Sequence, residues 1–421
     1  MNNTISNNNF SCRSCDSNDI TSILDLGLHP WCNDFLLKEM VGKEESYPLH
    51  LVHCEKCKLL QLNFTVPKET MFEDHTYVSS TTNTLKKHFY ELAEENKNQF
   101  NLSDNDLIVD IGGNDGTQLL QYIKAGMDNV LNVESASKIA QLGIDDGVTT
   151  LVEFFNEETV KTRIGDGSIK LINASGVFFH LEELHSVIKG IKRGLAEDGV
   201  FVVQFMYAGT MIEKLNFDTI YHEHLCYYTL NSLTNLLSPY NLQIFDAYYS
   251  DIHSGSIIAK IQHKGGMYGK TDRYVDTLKN DEKYTKEEFL NFSNSVGATR
   301  FKLKDLLTNL KSKDSSIKIY AYGAPAKGNT LLNYFNIDNT LIDKCVEVND
   351  LKIGRYLPKS HIPIIKESID DLPDYYLLLS HNFATEILER NRDLINKGIK
   401  FIIPFPTVQI VDKNNINNFK F

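Results

Sequence analysis

Strand-length apolar runs alternate with helix-length segments in two separate stretches of this 421-residue chain. In the first stretch the runs NDLIVDI, NVLNVE, KLINASG and GVFVVQF follow one another between residues 105 and 205. In the second stretch the runs KIYAYG, LIDKCVEV, YYLLLS and KFIIPFP do so between residues 318 and 406. This alternation is typical of parallel sheets covered by helices, so we predict two α/β domains.

The remaining segments complete the predicted domain organisation. Residues 1–68 combine short apolar stretches with turn formers and hold five of the seven cysteines. Apolar side chains at helical spacing predict a lead-in helix over residues 83–100 and a long helix from about Phe289 to Leu310. We therefore predict a small module over 1–68, an α/β domain over 69–265, and a linker helix with a second α/β domain over 266–421.

Composition excludes several classes of protein. The chain has 43 Lys plus Arg against 55 Asp plus Glu, a net charge of −12, whereas a nucleic-acid binder needs a basic face. It has no run near the roughly 18 apolar residues of a membrane span, and its first residues, MNNTISNNNF, lack the features of a secretion signal. We expect a soluble cytoplasmic protein that binds neither nucleic acid nor membranes, and we predict no protein partner.

The cysteines predict a metal site. Cys12 and Cys15 form one Cys-x-x-Cys pair, and Cys54 and Cys57 form another. Two such pairs can complete a tetrahedron of thiolates around Zn²⁺, which would be a closed structural site. The 38 residues between the pairs exceed the usual ribbon spacing, so the insert must form structure of its own. Four buried or redox-active thiols are the alternative, and we interpret Cys32 as a buried bystander.

The turn after the first predicted strand, DIGGNDG, has the frame D-x-G-x-x-x-G rather than the G-x-G-x-x-G of dinucleotide sites. This frame is typical of class I methyltransferases, which bind S-adenosylmethionine (SAM) over the turn. Gly112 and Gly116 let the backbone approach a ligand, and Asp110 or Asp115 can meet its ammonium group. Glu134 ends the next strand, where a carboxylate can accept from both ribose hydroxyls. A plain structural turn or a site for another nucleotide is the alternative.

Other candidates lie at the predicted carboxyl edge of the first sheet, where open α/β folds bind ligands. Phe155, together with Phe154, can flank an adenine ring, although both can equally be core residues. His180 follows the strand KLIN and is a candidate for the same site.

The segment FDTIYHEHLCYY holds the densest set of ionisable and aromatic groups in the chain. On an extended segment, His222 and His224 would project one way and Tyr221 and Glu223 the other. We predict an acid/base cluster, because a histidine can remove the proton beside a carbonyl while Tyr and Glu polarise the enolate. A His-x-His metal site and a hydrogen-bonded structural turn are the alternatives.

A turn in the second α/β domain, from Gly323 to Gly328, follows the strand KIYAY. Its backbone amides and the ammonium of Lys327 can hold a pyrophosphate. A Rossmann-like turn without ligand is the alternative.

In their order along almost the whole chain, these motifs resemble those of the sugar C-methyltransferases. CRSC with CEKC resembles the zinc module of that family, HTYVSSTT, with Tyr77, its Y-x-x-S-S-T segment, and DIGGNDGT its SAM loop. FDTIYHEHLCYYTL resembles the family's signature segment, and IHSGSI, with His253 and Ser256, a second loop. YGAPAKGNTLLNY and the later HNF, with Asn382, resemble its C-terminal domain.

The resemblance implies a central class I (Rossmann-like) methyltransferase domain, a C-terminal Rossmann-like domain, and methylation of a nucleotide-linked 4-keto deoxysugar, usually at C3. It implies that His224 is the base, that Tyr221 and Glu223 assist, and that His180 and Tyr77 face the sugar. Substrate contacts are expected from His222, His253, Ser256, Lys327 and Asn382.

Two positions depart from the family pattern. The strand before the signature ends in Gln204 where the family often has Glu, and Ser254 stands in a loop that usually reads H-G-G-S in the family. Two other functions stay open: O-methylation of a sugar or related metabolite, and a non-catalytic zinc-stabilised binding protein. The intact glycine turn and the complete YHEH string favour an enzyme over that last alternative.

Overall fold

The computed structural model describes residues 10–67, 78–252 and 255–419 of the chain. Three sheets, of four, seven and six strands, organise these residues. Within the described ranges, no helix combines the length and the apolar character needed to cross a membrane.

The first sheet is antiparallel, and its last strand comes from outside the N-terminal module. Its order is β1-β2-β3-β9, and its strands are Ile20–His29, Tyr47–Cys54, Leu60–Leu62 and Cys226–Tyr227. The last of these strands, β9, pairs with β3 through Leu60↔Tyr227 and Gln61↔Cys226. Because β9 directly follows the YHEH string, the central part of the chain completes the sheet of the module.

The second sheet is the open α/β sheet predicted for the central domain. Its order is β10-β11-β8-β7-β4-β5-β6, and only β10 and β11 run antiparallel to their neighbours. The strands are β4 Leu107–Ile111, β5 Val130–Val133, β6 Thr150–Leu151, β7 Ile169–Ser175, β8 Leu195–Met206, β10 Leu242–Ser250 and β11 Ser256–His263.

Helices cover both faces of this sheet. Successive residues of β8 show this, since they alternate between two separate apolar cores. Phe201, Val203 and Phe205 belong to one core, whereas Val200 and Val202 belong to the other. The helices are α1 Asn83–Phe100, α2 Thr117–Lys124, α3 Ser137–Asp145, α4 Glu157–Thr159, α5 Leu184–Gly194, α6 Ala208–Glu213, α7 Leu230–Leu237 and α8 Asp272–Asp281. A π-helical turn, Val160–Ile164, extends α4, and short 3-10 helices span Lys38–Met40, Ser79–Thr81, Phe217–Thr219 and Ser238–Tyr240.

The third sheet belongs to the C-terminal domain and has the order β14-β13-β12-β15-β16-β17. Its strands are β12 Ile319–Tyr322, β13 Lys344–Glu347, β14 Ile364–Lys366, β15 Tyr375–Leu378, β16 Lys400–Ile403 and β17 Gln409–Val411. The long helix α9 Lys286–Lys313 precedes it, followed by α10 Ala326–Phe335, α11 Ala384–Arg390 and α12 Arg392–Asn396. Further 3-10 helices span His381–Phe383 and Ile416–Asn418.

One apolar core joins the N-terminal module to the C-terminal domain. Leu24 and Leu51 of the module, Phe217 of the central domain, and Leu303 and Phe335 of the C-terminal part all belong to it. The predicted α/β architecture, with its lead-in helix and its long helix, is confirmed. The boundaries predicted at residues 68 and 265 stay predictions.

Candidate active site

The four cysteines of the two Cys-x-x-Cys pairs converge at one point. Their sulfur atoms all lie within 4.8 Å of one another, with 3.4 Å between Cys12 and Cys57 and 3.6 Å between Cys15 and Cys54. Four thiolates at this spacing repel one another, so a cation is required to hold them together. The donor set is that of structural zinc and leaves no ligand position open.

The two cysteine pairs have the same backbone geometry. The N–H groups of Cys12 and Cys54 each donate to the carbonyl five residues further on, at 2.9 Å. Asp16 and Lys58, which follow the pairs, donate back to the first cysteine's carbonyl and have φ angles of 56° and 66°. Each turn therefore presents two sulfurs on one side, as the predicted metal site requires. Cys32 is buried and lies outside this cluster.

The glycine turn leads from β4 into α2 and is held by the next strand. The Gly112 N–H donates to Val133 O at 2.8 Å, and the Asn114 N–H donates to Glu134 Oε2 at 3.0 Å. Asp110 is buried, and its Oδ1 has no hydrogen-bond partner among the described residues. Burial, with a smaller contribution from Glu134, raises the pKa of Asp110. Two carboxyl groups thus line the turn where the predicted cofactor needs polar partners.

The glycines of this turn are also required by packing within the protein. Gly112 and Gly116 have φ angles of +60° and +73°, and an added Cβ would lie 2.7 Å from Val177 and 2.9 Å from Val148. Asp115 accepts from the Thr117 N–H at 3.2 Å and from the Ser80 N–H at 2.9 Å. Asp115 therefore binds the first N–H of α2 and a backbone N–H of the segment before α1. Its predicted contact with the cofactor stays a prediction.

The two phenylalanines predicted near the adenine ring have different surroundings. Phe155 is buried in the core of the central domain, where it lies against Gly190. Phe154 is half exposed, so of the two rings it is the more accessible to solvent.

The YHEH string forms a tight turn rather than an extended segment. The His224 N–H donates to Tyr221 O at 2.8 Å, and the two rings lie 3.9 Å apart. His222 points the other way, where its Nε2–H donates to Pro48 O at 3.2 Å, and burial lowers its pKa to about 4. The expectation that His222 and His224 project together is wrong, because the turn pairs positions three apart instead of two.

Two histidines face each other beside this turn, with ring centroids 5.0 Å apart. His224 donates through Nδ1 to Thr219 O at 2.8 Å, and His180 donates through Nδ1 to Glu223 O at 2.5 Å. A carbonyl only accepts, so the proton of each neutral ring is on Nδ1 and the lone pair is on Nε2. Burial raises the pKa of Tyr221 well above its usual range, so its phenol stays protonated.

A short backbone turn connects the histidines to the glycine turn. The His180 N–H donates to Val177 O at 2.9 Å, and Val177 is the residue that closes the space over Gly112. The strands that precede them, β7 and β4, are adjacent in the sheet. The predicted SAM turn and the histidine pair therefore meet at one carboxyl edge of the sheet.

Glu223 has partners that sequence reasoning missed. Trp31 Nε1 and Asn33 Nδ2 both donate to Glu223 Oε1, each at 2.6 Å. These residues come from the N-terminal module, and nothing in their local sequence marks them. Burial raises the pKa of Glu223, although both donors oppose the shift.

A further polar group lies at the end of β8. His88 Nε2 is 2.8 Å from Gln204 Oε1, and Gln204 Nε2 donates to Ser256 Oγ at 2.9 Å. Gln204 and the predicted substrate residue Ser256 are both buried. His88 was not singled out from the sequence, although the helical pattern places it on the lead-in helix.

Lys327 lies in a buried charge cluster between two domains. Asp218 Oδ2 is 2.8 Å from His381 Nε2 and 3.6 Å from Lys327 Nζ. Burial would raise the pKa of Asp218, but Lys327 and His381 together lower it. The adjacent Asn382 has a buried Oδ1 with no partner among the described groups.

Two predicted site residues, Tyr77 and His253, lie outside the described residues. The His-x-His metal alternative finds no support. In the part of the chain that the structure describes, the four cysteines are the one group of three or more metal-ligating side chains that converge.

Comparison with known proteins assigns the three parts of the chain. The model of a family described as "Putative zinc binding domain" matches residues 12–72, that of a methyltransferase domain residues 85–247, and that of a C-methyltransferase C-terminal domain residues 251–406. The chain is therefore a SAM-dependent methyltransferase with the domain set of the C-methyltransferases. This confirms the predicted cofactor SAM and the predicted zinc-binding module.

One curated relative agrees with this assignment. The C-methyltransferase NovU of Streptomyces niveus is 29% identical over 409 residues, which cover 95% of this chain and 96% of that protein. Among solved structures, geranyl diphosphate C-methyltransferase from Streptomyces coelicolor A3(2) is 11% identical. That match covers 47% of this chain and 92% of the other, with a TM-score of 0.33.

Proposed function

We propose that this methyltransferase transfers a methyl group to carbon in a nucleotide-linked keto deoxysugar, at C3 beside a 4-keto group. The observation that carries the proposal is the pair of histidines at the carboxyl edge, with Nδ1 of each ring held by a backbone carbonyl. Transfer to carbon first needs a proton removed beside the ketone. A histidine with a fixed tautomer next to a protonated tyrosine supplies a base and a hydrogen-bond donor for that step.

In this mechanism Nε2 of His224 accepts the proton from the sugar carbon. The imidazolium that results is stabilised by its Nδ1–H bond to the Thr219 carbonyl, 2.8 Å away. The Tyr221 ring lies 3.9 Å from that of His224, and its phenol donates to the oxygen that becomes negative. Such a donor stabilises developing charge more strongly inside a buried site than in water.

His180 and Glu223 border the same space. Nδ1 of His180 is held by the Glu223 carbonyl, so its Nε2 accepts a hydrogen bond from a sugar hydroxyl. When SAM is bound over the glycine turn, it supplies the methyl group that the enolate carbon takes up. Asp110 and Glu134 would hold its amino-acid and ribose portions.

The place of the nucleotide stays a prediction. The Ala324 N–H of the C-terminal turn donates to Glu347 Oε2 at 2.8 Å, and Lys327 pairs with Asp218. Of the groups predicted to hold a pyrophosphate, the Ala324 N–H and the Lys327 ammonium therefore already have acidic partners within the chain. We propose that Asn382, whose Oδ1 has no described partner, contacts the substrate from this domain.

The experiment is mass spectrometry with SAM and a panel of nucleotide-linked 4-keto sugars, combined with solvent deuterium exchange at the carbon beside the ketone. We expect a gain of one methyl on carbon, and exchange without SAM. His224→Ala should bind SAM normally yet lose methylation by about 10²–10⁴-fold, the usual effect of removing a general base, and lose exchange in parallel.

Two outcomes would contradict this. Methyl transfer to a hydroxyl without exchange indicates O-methylation. If His224→Ala keeps exchange while His180→Ala or Tyr221→Phe abolishes it, the base is the residue whose loss abolishes it.

A further inference from the structure

The side chain of Glu223 is held by a turn that belongs to another part of the chain. Trp31 and Asn33 lie on the turn that follows β1, in which the Asp34 N–H donates to Trp31 O at 3.1 Å. Both side chains donate to one oxygen of Glu223, Oε1, at 2.6 Å. These contacts span 192 and 190 residues of sequence.

We propose that Trp31 and Asn33 are positioning residues for the methyl transfer, because they hold Glu223 in one orientation and leave its second oxygen, Oε2, to face the substrate. The inference rests on the proposed function, in which Glu223 borders the reacting sugar. It adds two residues that no sequence motif marks.

The choice of oxygen follows from hydrogen-bond chemistry. A carboxylate oxygen that accepts two N–H groups has its lone pairs engaged, so a proton is added to the other oxygen. Among the described residues, no side chain donates to Oε2. Glu223 therefore binds and releases its proton at Oε2, and the substrate meets the same atom each time.

The turn that carries the two donors is itself anchored to the C-terminal domain. Asn329 Nδ2, on α10, donates to the carbonyl of Cys32 at 2.6 Å. Arg355 donates to Phe35 O at 2.9 Å, and Leu36 forms a bridge with Tyr356. Glu223 is thus fixed from two sides, by the catalytic turn on which it lies and by a turn fastened to a different sheet.

A pH titration of Glu223 can also include signals from the titratable groups that lie near it. Burial raises the pKa of Cys32 and of Tyr221, so both are neutral from acid to mildly alkaline pH. The rings of His180 and His224 lie 5.0 Å apart, whereas His222 Nε2 donates to Pro48 O of the N-terminal module. Burial lowers the pKa of His222 to about 4.

Trp31 is the only tryptophan of the chain, so its fluorescence reports on Glu223 directly. In the zinc-loaded full-length protein without substrate, we expect the emission to titrate with a midpoint above the usual glutamate value of about 4.3. Glu223→Gln should remove this transition and keep any step due to the histidines. Asn33→Ala should move the midpoint upward by about one pH unit, because one donor to the carboxylate is lost.

Kinetics provides the second test. Trp31→Phe keeps the aromatic body and loses the N–H, so both Trp31→Phe and Asn33→Ala should lower kcat by about tenfold, with SAM affinity unchanged. In the dependence of kcat on pH, the apparent pKa that is due to Glu223 should be higher in both variants. Asn63→Ala is the matched control, because Asn63 lies in the same module and donates to His50 instead.

The inference is wrong if the emission of Glu223→Gln titrates like that of the native protein, or if Asn33→Ala leaves the midpoint unchanged. It is also wrong if both kinetic variants lose activity only in proportion to zinc content or unfolding midpoint, with an unshifted pH profile. Since the fluorescence titration uses no substrate, its result does not depend on the proposed reaction.

Discussion

Asp218→Asn tests the buried charge cluster that joins the catalytic segment to the C-terminal domain. Asp218 is fully buried, and Lys327 Nζ lies 3.6 Å from its carboxylate. Burial lowers the pKa of Lys327, and Asp218 is the group that opposes this shift. Replacing the carboxylate by an amide leaves the lysine buried without a negative partner, the situation in which broken buried pairs destabilise proteins by about 3–5 kcal/mol.

The loss of unfolding free energy in Asp218→Asn has an upper limit, which is set by deprotonation of Lys327. In the variant the folded state can release the Lys327 proton, whereas the unfolded chain keeps it up to a pKa of about 10.4. Releasing the Lys327 proton costs about 1.36 kcal/mol for each pH unit below the unfolded pKa. The cost is therefore about 4.6 kcal/mol at pH 7 and about 3.3 kcal/mol at pH 8. The unfolded state then binds one proton more, so the stability of the variant rises with pH.

The assay is urea denaturation of the native protein and the variant at pH 7 and pH 8. We expect the loss of unfolding free energy in Asp218→Asn to shrink by up to about 1.4 kcal/mol between the two pH values. Adding Lys327→Met should restore most of the stability, since it removes the unpaired charge. Glu158→Gln, which breaks an exposed pair with Lys161, is the control and should cost less than about 1 kcal/mol.

A loss below about 1 kcal/mol at pH 7 with no dependence on pH would refute this reasoning, as would a failure of Lys327→Met to restore stability. The single variant Lys327→Met also separates two roles of the lysine. A rise in KM for the nucleotide sugar in a stable protein would support the predicted pyrophosphate contact.

Two further predictions concern the cofactors. Cys54→Ser should lower the zinc content, measured by elemental analysis, below the expected one ion per chain and reduce solubility, because the two cysteine turns lose the metal that links them. Native protein without zinc would contradict the site. Gly112→Val should abolish SAM binding in calorimetry. Glu134→Ala should weaken SAM binding by at least tenfold, since each hydrogen bond to a charged group contributes about 1.5–3 kcal/mol. Unchanged affinity in both variants would place the cofactor elsewhere.

The cysteine cluster, the glycine turn and the two open sheets could be predicted from the sequence, because each depends on residues that are close together in the chain. Two thiols three residues apart must share a turn, and Gly112 and Gly116 lie where a strand enters a helix, so the metal cluster and the glycine turn follow from spacing. The two strand alternations predicted the two open sheets for the same reason, since central strands such as Ile169–Ser175 and Ile319–Tyr322 are almost entirely buried.

The parts that could not be predicted depend on contacts between distant segments. An extended segment was expected at YHEH, but the hydrogen bond from His224 to Tyr221 closes a turn there. Lys327 was predicted from its glycine turn alone, and its partner Asp218 comes from another domain. Trp31 and Asn33 have no local signal, because their role depends on where Glu223 lies after folding.

The pairing of β3 with β9 has a consequence for how the chain is made on the ribosome. Gln61 and Cys226 are partners across that pair, and 165 residues (226 minus 61) of translation separate them. At about 5–20 residues per second, synthesis of that interval takes roughly 8–33 s. The four zinc ligands emerge long before the strand that completes their sheet, so the metal has time to bind before the module closes. A nascent chain stalled before residue 226 lacks the strand that covers the edge of β3.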